Sequence, residues 1–286
     1  MASETYQQDL NNNRIRRIQE KGGLRDPVER VAVEFFGHCA FRLTSPRGVT
    51  VLFDPWRNDP SGMWGTWFHQ EFPSIEVDVT VMTHAHFDHD AIHRPDSGMI
   101  LERLAGAFRL GDVQLRGVAD KHVSHAPGKH DWTRVFEEFG MARPPDNPAP
   151  FDNVMYVVEL GDVRILKWGD NRHDPPDRVW EAATRDPVDI LFLPIDGTSH
   201  ILSFDQIGEI VERVAPRIVV PEHYLVDGVS STLAVLEDAE RWVSSQRHVR
   251  RLDSGAFEVG RAELDSLEET RVWYFGHHHA IEKDID

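Results

Sequence analysis

The feature that most limits what this chain can fold into is a run of histidine and aspartate side chains directly behind an apolar strand. Alternating apolar residues at 77–82 predict the strand, and residues 83–90 then read Thr-His-Ala-His-Phe-Asp-His-Asp. In an extended segment His84 and His86 face the same side, whereas Asp88 and His89 on the following turn can point to a second position nearby. The spacing indicates two adjacent metal positions. The plainer alternative is a polar helix start that is rich in histidine.

The rest of the chain reads as short β-rich runs bounded by Gly, Pro and Asp, mixed with a few helices. The first three runs predict an antiparallel meander, and Gly161-Asp162 predicts a tight hairpin. Strands are predicted at 31–36, 41–44, 49–53, 77–82, 113–118, 154–160, 163–168, 190–195, 218–221, 256–259 and 271–275. Helices are predicted at 90–104 with a break at Pro95, and at 179–183, 204–214 and 232–245.

The chain divides into a polar arm at residues 1–30 and one domain at residues 31–286, since no repeat or linker interrupts the second part. The only cysteine is Cys39, so a metal site must be built from histidine and carboxylate. A net charge of −17 disfavours nucleic acid as a partner. Without a long apolar run or a signal-peptide pattern, we expect a cytoplasmic protein with no stable membrane anchoring, acting on a small molecule and compatible with a homo-oligomer.

The pattern His84-x-His86-x-Asp88-His89 resembles the signature of the metallo-β-lactamase superfamily. The flanking segments 37–41 and 51–55 resemble the branch that includes L-ascorbate-6-phosphate lactonase and N-acylphosphatidylethanolamine phospholipase D. The resemblance implies an α/β fold, an αββα sandwich in which two mixed β-sheets pack face to face with helices on the outer faces.

The resemblance also implies three later ligands. Asp170, in Trp168-Gly169-Asp170, matches the aspartate that bridges two metals, and His223 matches the last histidine. For the remaining histidine we favour His122 over His125, and His130 lies close by. The implied arrangement puts Asp170 between two ligand groups, which are His84, His86 and His122 on one side and Asp88, His89 and His223 on the other. Zinc is the default for such ligands, and manganese or iron would also accept them.

Three other histidines, His38, His173 and His200, are candidates for holding the substrate or stabilising an oxyanion, together with Asp88 and Asp170 as catalytic residues. Each of the three histidines could equally be a satisfied structural residue. The loop that contains Trp56, Trp64, Trp67 and Phe68 predicts an apolar wall for the substrate, or else a packed flap or subunit contact. The run at 277–279, His-His-His, is a further candidate near the site.

These features predict a dinuclear metal-dependent hydrolase in which a metal-bridging hydroxide attacks a lactone, ester, amide or phosphodiester. Asp170 argues against a true β-lactamase, whose pattern lacks the bridging aspartate. A processing nuclease would add an inserted domain and a basic surface, and the sequence shows neither. Two other classes stay open: an iron-dependent oxidoreductase on the same fold, and a non-catalytic metal-binding protein.

Overall fold

The structure is a computed structural model that describes residues 16, 18–20, 22–123, 152–198 and 200–281. The strands in chain order are β1 Val31–Phe35, β2 Phe41–Thr44, β3 Thr50–Phe53, β4 Glu76–Met82, β5 Asp96–Glu102, β6 Gly106–Leu110, β7 Val113–Asp120, β8 Asn153–Leu160, β9 Val163–Lys167, β10 Ile190–Pro194, β11 Ile218–Glu222, β12 Val249–Arg251, β13 Ala256–Val259 and β14 Arg271–Tyr274. The helices are α1 Asp177–Thr184, α2 Phe204–Val214, α3 Glu240–Val243 and α4 Arg261–Asp265.

The strands form two mixed sheets. The first has six strands in the order β13-β1-β2-β3-β4-β5, and the second has eight in the order β12-β14-β11-β10-β9-β8-β7-β6. The predicted antiparallel meander is confirmed, because β1 pairs with β2 and β2 pairs with β3 in antiparallel register. From β3 onward the first sheet is parallel. The two sheets confirm the predicted fold class.

Aromatic side chains from both sheets fill the space between them. The ring of Phe41 on β2 stacks on the ring of Phe192 on β10, with centroids 4.4 Å apart, and the ring of Phe53 on β3 lies 5.8 Å from that of Tyr156 on β8. Every residue of β2, β3, β10 and β11 is buried. Because these strands are covered on both faces, β10 and most of β3 and β11 are continuous apolar runs, whereas β2 carries Arg42 and Thr44.

The ends of several strands meet at one edge of the sandwich. Strands β9, β10 and β11 are parallel, and β7 runs the same way because each of the pairs β7-β8 and β8-β9 is antiparallel. In the first sheet β3 and β4 are parallel. The predicted ligands lie in the loops that follow β4, β7, β9 and β11, and the loop that follows β3 carries Asp54 beside them. The topology therefore gathers residues that are far apart in sequence.

Two predicted helices are wrong. Residues 96–102 form β5, which pairs in parallel with β4 from Glu76↔Asp96 to Met82↔Glu102. A helix there would contain Gly98, a weak helix former, whereas pairing with β4 satisfies the backbone. Of residues 232–245, only Glu240–Val243 is helical. The preceding backbone bonds elsewhere, since Leu225 N–H donates to Glu237 O at 3.0 Å.

The other predicted elements agree with the structure to within one or two residues at most ends, and the hairpin at Gly161-Asp162 joins β8 to β9. Strands β6 and β12 and helix α4 were not predicted. Among the residues described, no helix is long and apolar enough to cross a membrane. Residues 22–30 run along the 45–48 turn, with Gly23 N–H donating to Arg47 O at 2.9 Å. The boundary between arm and domain stays a prediction.

Candidate metal centre

The first ligand group consists of His84, His86 and His122. The loop after β4 supplies the first two and the loop after β7 supplies the third. The three rings lie with centroids 4.5 to 4.8 Å apart, and one ligand nitrogen of each lies within 4.8 Å of the others. His122 therefore lies beside His84 and His86, and its role as a ligand stays a prediction. Its two sequence alternatives, His125 and His130, lie outside the described residues.

The second group consists of Asp88, His89 and His223. The Nε2 atoms of both histidines lie 3.7 Å from Asp88 Oδ2. The peptide N–H of His89 donates to His86 O at 2.9 Å, which closes the turn that carries Asp88. The His89 ring lies 4.1 Å from that of His84, so His89 borders both groups. The N–H of His223 donates to His38 O at 3.0 Å, so the turn between β1 and β2 fixes the last histidine.

One carboxylate oxygen lies between the two groups. Asp170 Oδ2 is 3.6 Å from His84 Nε2 and 3.5 Å from His122 Nε2 in the first group. It is also 3.5 Å from His89 Nε2 and 3.3 Å from His223 Nε2 in the second. The sequence-based ligand set is thus brought together around Asp170.

The Asp170 turn is held by its neighbours. Gly169 has a φ of 59°, a left-handed conformation that glycine adopts without strain. The indole N–H of Trp168 donates to Asn171 O at 3.0 Å. Val123 N–H donates to Asp170 O at 2.9 Å, and this links the turn to the segment that carries His122.

The donor set fits metal ions. Among the described residues, the Nε2 atoms of His84, His89, His122 and His223 and Asp170 Oδ1 are buried without a hydrogen-bond partner, although buried polar atoms normally have one. Two ligands that are each ~2.05 Å from a tetrahedral zinc ion lie ~3.3 Å apart. The distances of 3.3 to 3.6 Å from Asp170 Oδ2 to the four nitrogens are close to that spacing and too long for good hydrogen bonds.

The electrostatics of the two groups differ. Burial, together with neighbouring imidazoles, lowers the pKa of His84 well below its usual value, which leaves the neutral form that binds metals. Burial opposes protonation of His223, but Asp170 and Asp88 outweigh it and raise its pKa to about 10. Where the carboxylates converge the site therefore favours positive charge, which divalent cations would supply in place of protons.

Partners behind the ligands turn the Nε2 atoms inward. His122 Nδ1 lies 2.5 Å from Val123 O, so this nitrogen carries the proton. His89 Nδ1 faces Asp54 Oδ2 at 3.3 Å, a charge contact rather than a hydrogen bond. His84 Nδ1 lies 3.0 Å from the hydroxyl of Thr83, which donates to Asp54. Such partners fix the tautomer of metal-binding histidines.

Backbone strain is concentrated beside these ligands. His38, Asp54 and His223 have φ values of 56°, 47° and 61°, in a region that side chains other than glycine rarely adopt. Strained conformations of this kind cluster at functional sites. The strain here places the Asp54 carboxylate and the His223 ring at the edge where the strands end.

The three additional histidines are in different places. His38 is fully buried beneath Asp88, with Nε2 3.1 Å from Asp88 Oδ2, so it lies behind a ligand rather than on the rim. His200 is nearly buried, and its ring stacks at 5.6 Å on that of His223. His173 is partly exposed and contacts Gln206 on α2 at 3.0 Å.

The Trp-rich loop serves two purposes. Trp56 and Phe68 are buried and stacked, with centroids 4.3 Å apart, and belong to the core. Trp67 faces the site instead: its ring lies 6.4 Å from His38, 6.3 Å from His200 and 5.1 Å from Phe87. It forms an aromatic wall beside the second ligand group. In the run at 277–279, His277 is largely exposed and bonds to the backbone of Asp227.

The sequence analysis missed Lys167 and Glu222, both fully buried below the second ligand group. Asp54 was noted only as part of a flanking segment. A local signal existed for Lys167, since it is a lysine inside an otherwise apolar strand end, Ile165-Leu166-Lys167-Trp168. Its partners could not be read from sequence because they come from other strands.

The family model of the β-lactamase superfamily domain matches residues 32–223. A UPF0173 metal-dependent hydrolase of Pyrococcus horikoshii is 28% identical over 204 residues, which cover 68% of this chain and 84% of the relative. Another from Koribacter versatilis is 24% identical over 223 residues, 69% of this chain and 85% of the relative. Neither is named a lactonase or phospholipase D, so that finer placement stays a prediction.

A solved structure from Thermotoga maritima has the same fold. It is assigned as a candidate Zn-dependent hydrolase of the metallo-β-lactamase superfamily, with a TM-score of 0.59, 19% identity, and coverage of 85% of this chain and 97% of its own. The matched family region runs from β1 to His223 and so contains every ligand described above. The chain belongs to the metallo-β-lactamase superfamily, in its class of metal-dependent hydrolases.

Proposed function

We propose that the protein is a dinuclear metal-dependent hydrolase that attacks a small-molecule lactone, ester, amide or phosphodiester with a metal-activated water. The observation that carries the proposal is the position of Asp170 Oδ2, between 3.3 and 3.6 Å from histidine nitrogens of both ligand groups. A single carboxylate oxygen shared by two sets of ligands suits a pair of cations rather than one.

His84, His86 and His122 would hold one ion, and Asp88, His89 and His223 the other, with Asp170 shared. Two divalent ions at such a site lower the pKa of a shared water toward ~7 and polarise a carbonyl or phosphoryl oxygen. Zinc is the expected metal, and manganese or iron is compatible with the same donors.

The residues around the ligands orient both ligands and substrate. His38 donates to Asp88 Oδ2 from beneath and fixes that carboxylate. Burial and the adjacent His223 lower the pKa of His38 to about 4, so its ring is neutral near neutral pH. His200 stands beside His223 and can donate to a substrate oxygen. Trp67 and Phe87 offer an apolar surface for the substrate. His173, which contacts Gln206 on α2, is the most exposed of the three additional histidines.

A substrate screen of the zinc- and manganese-loaded protein tests the proposal. Lactones, esters, amides and phosphodiesters are offered to the wild type, to His86→Ala and to His248→Ala. The second variant changes a histidine that pairs with Glu269 outside the site. We expect hydrolysis of at least one class by the wild type and by His248→Ala, and loss of both metal and hydrolysis in His86→Ala.

Unchanged metal content in His86→Ala would contradict the proposed ligand set. The same preparation distinguishes the other two classes of function. Protein produced without added zinc that contains iron, shows a visible absorption band and oxidises a substrate would favour an oxidoreductase. Metal binding without turnover of any substrate class would favour a non-catalytic metal-binding protein.

A further inference from the structure

A fully buried lysine lies beneath the second ligand group. Lys167, at the end of β9, has no exposed surface. Its ammonium group donates to Cys39 O at 2.9 Å and to the Glu222 carboxylate, and lies 3.3 Å from Asp54 Oδ2. Buried charges are costly unless they are paired, and here one cation meets two buried carboxylates. Their charges raise the pKa of Lys167 despite its burial, so the ammonium form persists.

Each of the three residues that contact Lys167 lies next to a residue of the second ligand group, or next to a residue that contacts that group. Asp54 Oδ2, which faces Lys167, also faces His89 Nδ1 at 3.3 Å. Glu222 immediately precedes His223, whose backbone is left-handed. The Cys39 carbonyl follows His38, the residue that bonds to Asp88.

Within the first ligand group, His122 is held independently of this lysine. His122 is fixed by the Asp152 carboxylate, which accepts its N–H at 2.8 Å, and by Val123 O. His84 follows Thr83, whose N–H donates to Asp54 Oδ1 at 2.8 Å and whose hydroxyl also donates to that carboxylate, so His84 is the member of the first group that shares a partner with Lys167. Neither Asp152 nor Val123 takes part in the described contacts of Lys167.

We propose that Lys167 is a positioning residue for the second metal position: its ammonium group fixes Asp54 and Glu222, and through them the rings of His89 and His223. This inference rests on the proposed function, because it presumes two ions. The polar contacts of Lys167 are with Cys39 O, Glu222 and Asp54, none of which belongs to either ligand group. The ammonium group holds the segments of Cys39, Asp54 and Glu222 together, and this keeps His89 and His223 in place before a cation binds.

The test measures the two stepwise metal affinities of folded protein by competition with a chelator, using zinc, and follows cobalt binding by its absorption spectrum. We expect Lys167→Met to weaken one of the two affinities by ~10-fold or more, as loss of an orienting contact does. The other affinity should stay within about 3-fold of wild type. In a cobalt titration, the absorption spectrum of the variant should differ from that of the wild type only in the binding step whose affinity is lowered.

A matched control separates positioning from simple stability. Arg261 on α4 pairs with the buried Asp189 carboxylate, with Nη2 2.7 Å from Asp189 Oδ2, directly before β10 and so at the opposite end of the strands from the site. Arg261→Met should destabilise the fold and leave both metal affinities unchanged. The double variant Lys167→Met/Glu222→Gln removes both charges of one pair, so it should recover stability, yet the weaker ion should remain weak because Asp54 still lacks its cation.

The outcomes are distinguishable. Equal changes in both affinities, or none, in Lys167→Met would overturn the inference while leaving the proposed function intact. Recovery of both affinities in the double variant would also overturn it, since the role would then be structural. Should Lys167→Met not fold, the double variant carries the same comparison. A wild-type protein that binds fewer than two ions would overturn both the inference and the proposed function.

Discussion

At the scale of single residues, the site depends on backbone conformations that few side chains accept. A left-handed conformation costs a residue other than glycine about 1–2 kcal/mol, and His38, Asp54 and His223 all adopt it. Hydrogen bonds at the same positions offset this cost, such as that from Asp54 N–H to Val81 O at 3.0 Å. At Gly169, directly before the shared aspartate, glycine removes the cost altogether.

Gly169→Ala should lower both stability and metal binding. The alanine would have to keep the left-handed φ of 59°, and its Cβ would lie 3.1 Å from the side chain of Thr83. We expect the free energy of unfolding to fall by about 1–2 kcal/mol and zinc occupancy to fall as Asp170 shifts. Gly62→Ala is the control, because its φ is 72° but its Cβ would meet open space. Denaturant unfolding and metal analysis of both variants check this, and normal zinc occupancy in Gly169→Ala would count against it.

His122→Ala and His125→Ala, compared side by side, decide the third histidine of the first group. His122 lies with His84 and His86 in the structure, so its loss should lower metal occupancy by ~10-fold or more, given that even changes behind a ligand typically cost that much. His125→Ala should keep wild-type occupancy. Elemental analysis after dialysis is the measurement, and the reverse result would reassign the ligand.

The candidate ligands could be selected from the sequence because each follows a strand end that is visible there. Residues 83–90 form one local motif, and Asp170 and His223 each end a recognisable apolar run. The positioning residues could not be predicted in the same way. Lys167 and Glu222 are 55 residues apart, and their contact depends on how β9, β10 and β11 are ordered in the sheet.

At the scale of elements, strand ends rather than helices build the site. Residues 96–102 of the predicted helix at 90–104 form the edge strand β5 instead, because a partly exposed run next to β4 can complete a ladder that local propensity does not reveal. The buried strands were easier to predict, since continuous apolar runs such as 190–194 leave few alternatives. Helix α2 was predicted with its observed bounds, Phe204–Val214.

Ser203→Ala should destabilise the protein without affecting metal binding. The Ser203 hydroxyl accepts the N–H of Gln206, and the Gln206 side chain accepts the N–H of Ser203, so both caps at the start of α2 depend on this pair. Loss of such a cap costs about 1 kcal/mol. Calorimetry should show the lower melting temperature, and unchanged zinc affinity separates this effect from those in the site. A drop in zinc affinity would contradict the independence of α2 from the ligands.

At the scale of the whole molecule, the ligand set joins the two sheets. His84, His86, Asp88 and His89 follow β4 of the first sheet, whereas His122, Asp170 and His223 follow strands of the second. Metal bound among them would therefore link the two layers of the sandwich. Any ligand that binds only the folded state stabilises it in proportion to its occupancy.

Removal of metal should lower the melting temperature. A metal at 100 times its dissociation constant stabilises the folded state by about 2.7 kcal/mol, which corresponds to roughly 5–10 °C for a domain of this size. We expect a shift of this order between zinc-loaded and chelator-treated wild type, and a smaller one in His86→Ala. Identical melting curves for the loaded and treated wild type would contradict a metal link between the sheets.

The most direct test of the two-metal account is anomalous diffraction from crystals grown with zinc. Two anomalous peaks are expected roughly 3.5–4 Å apart, on either side of Asp170. One peak should lie among His84, His86 and His122, and the other among Asp88, His89 and His223. A single peak at full zinc loading, or a second peak away from Asp170, would contradict it.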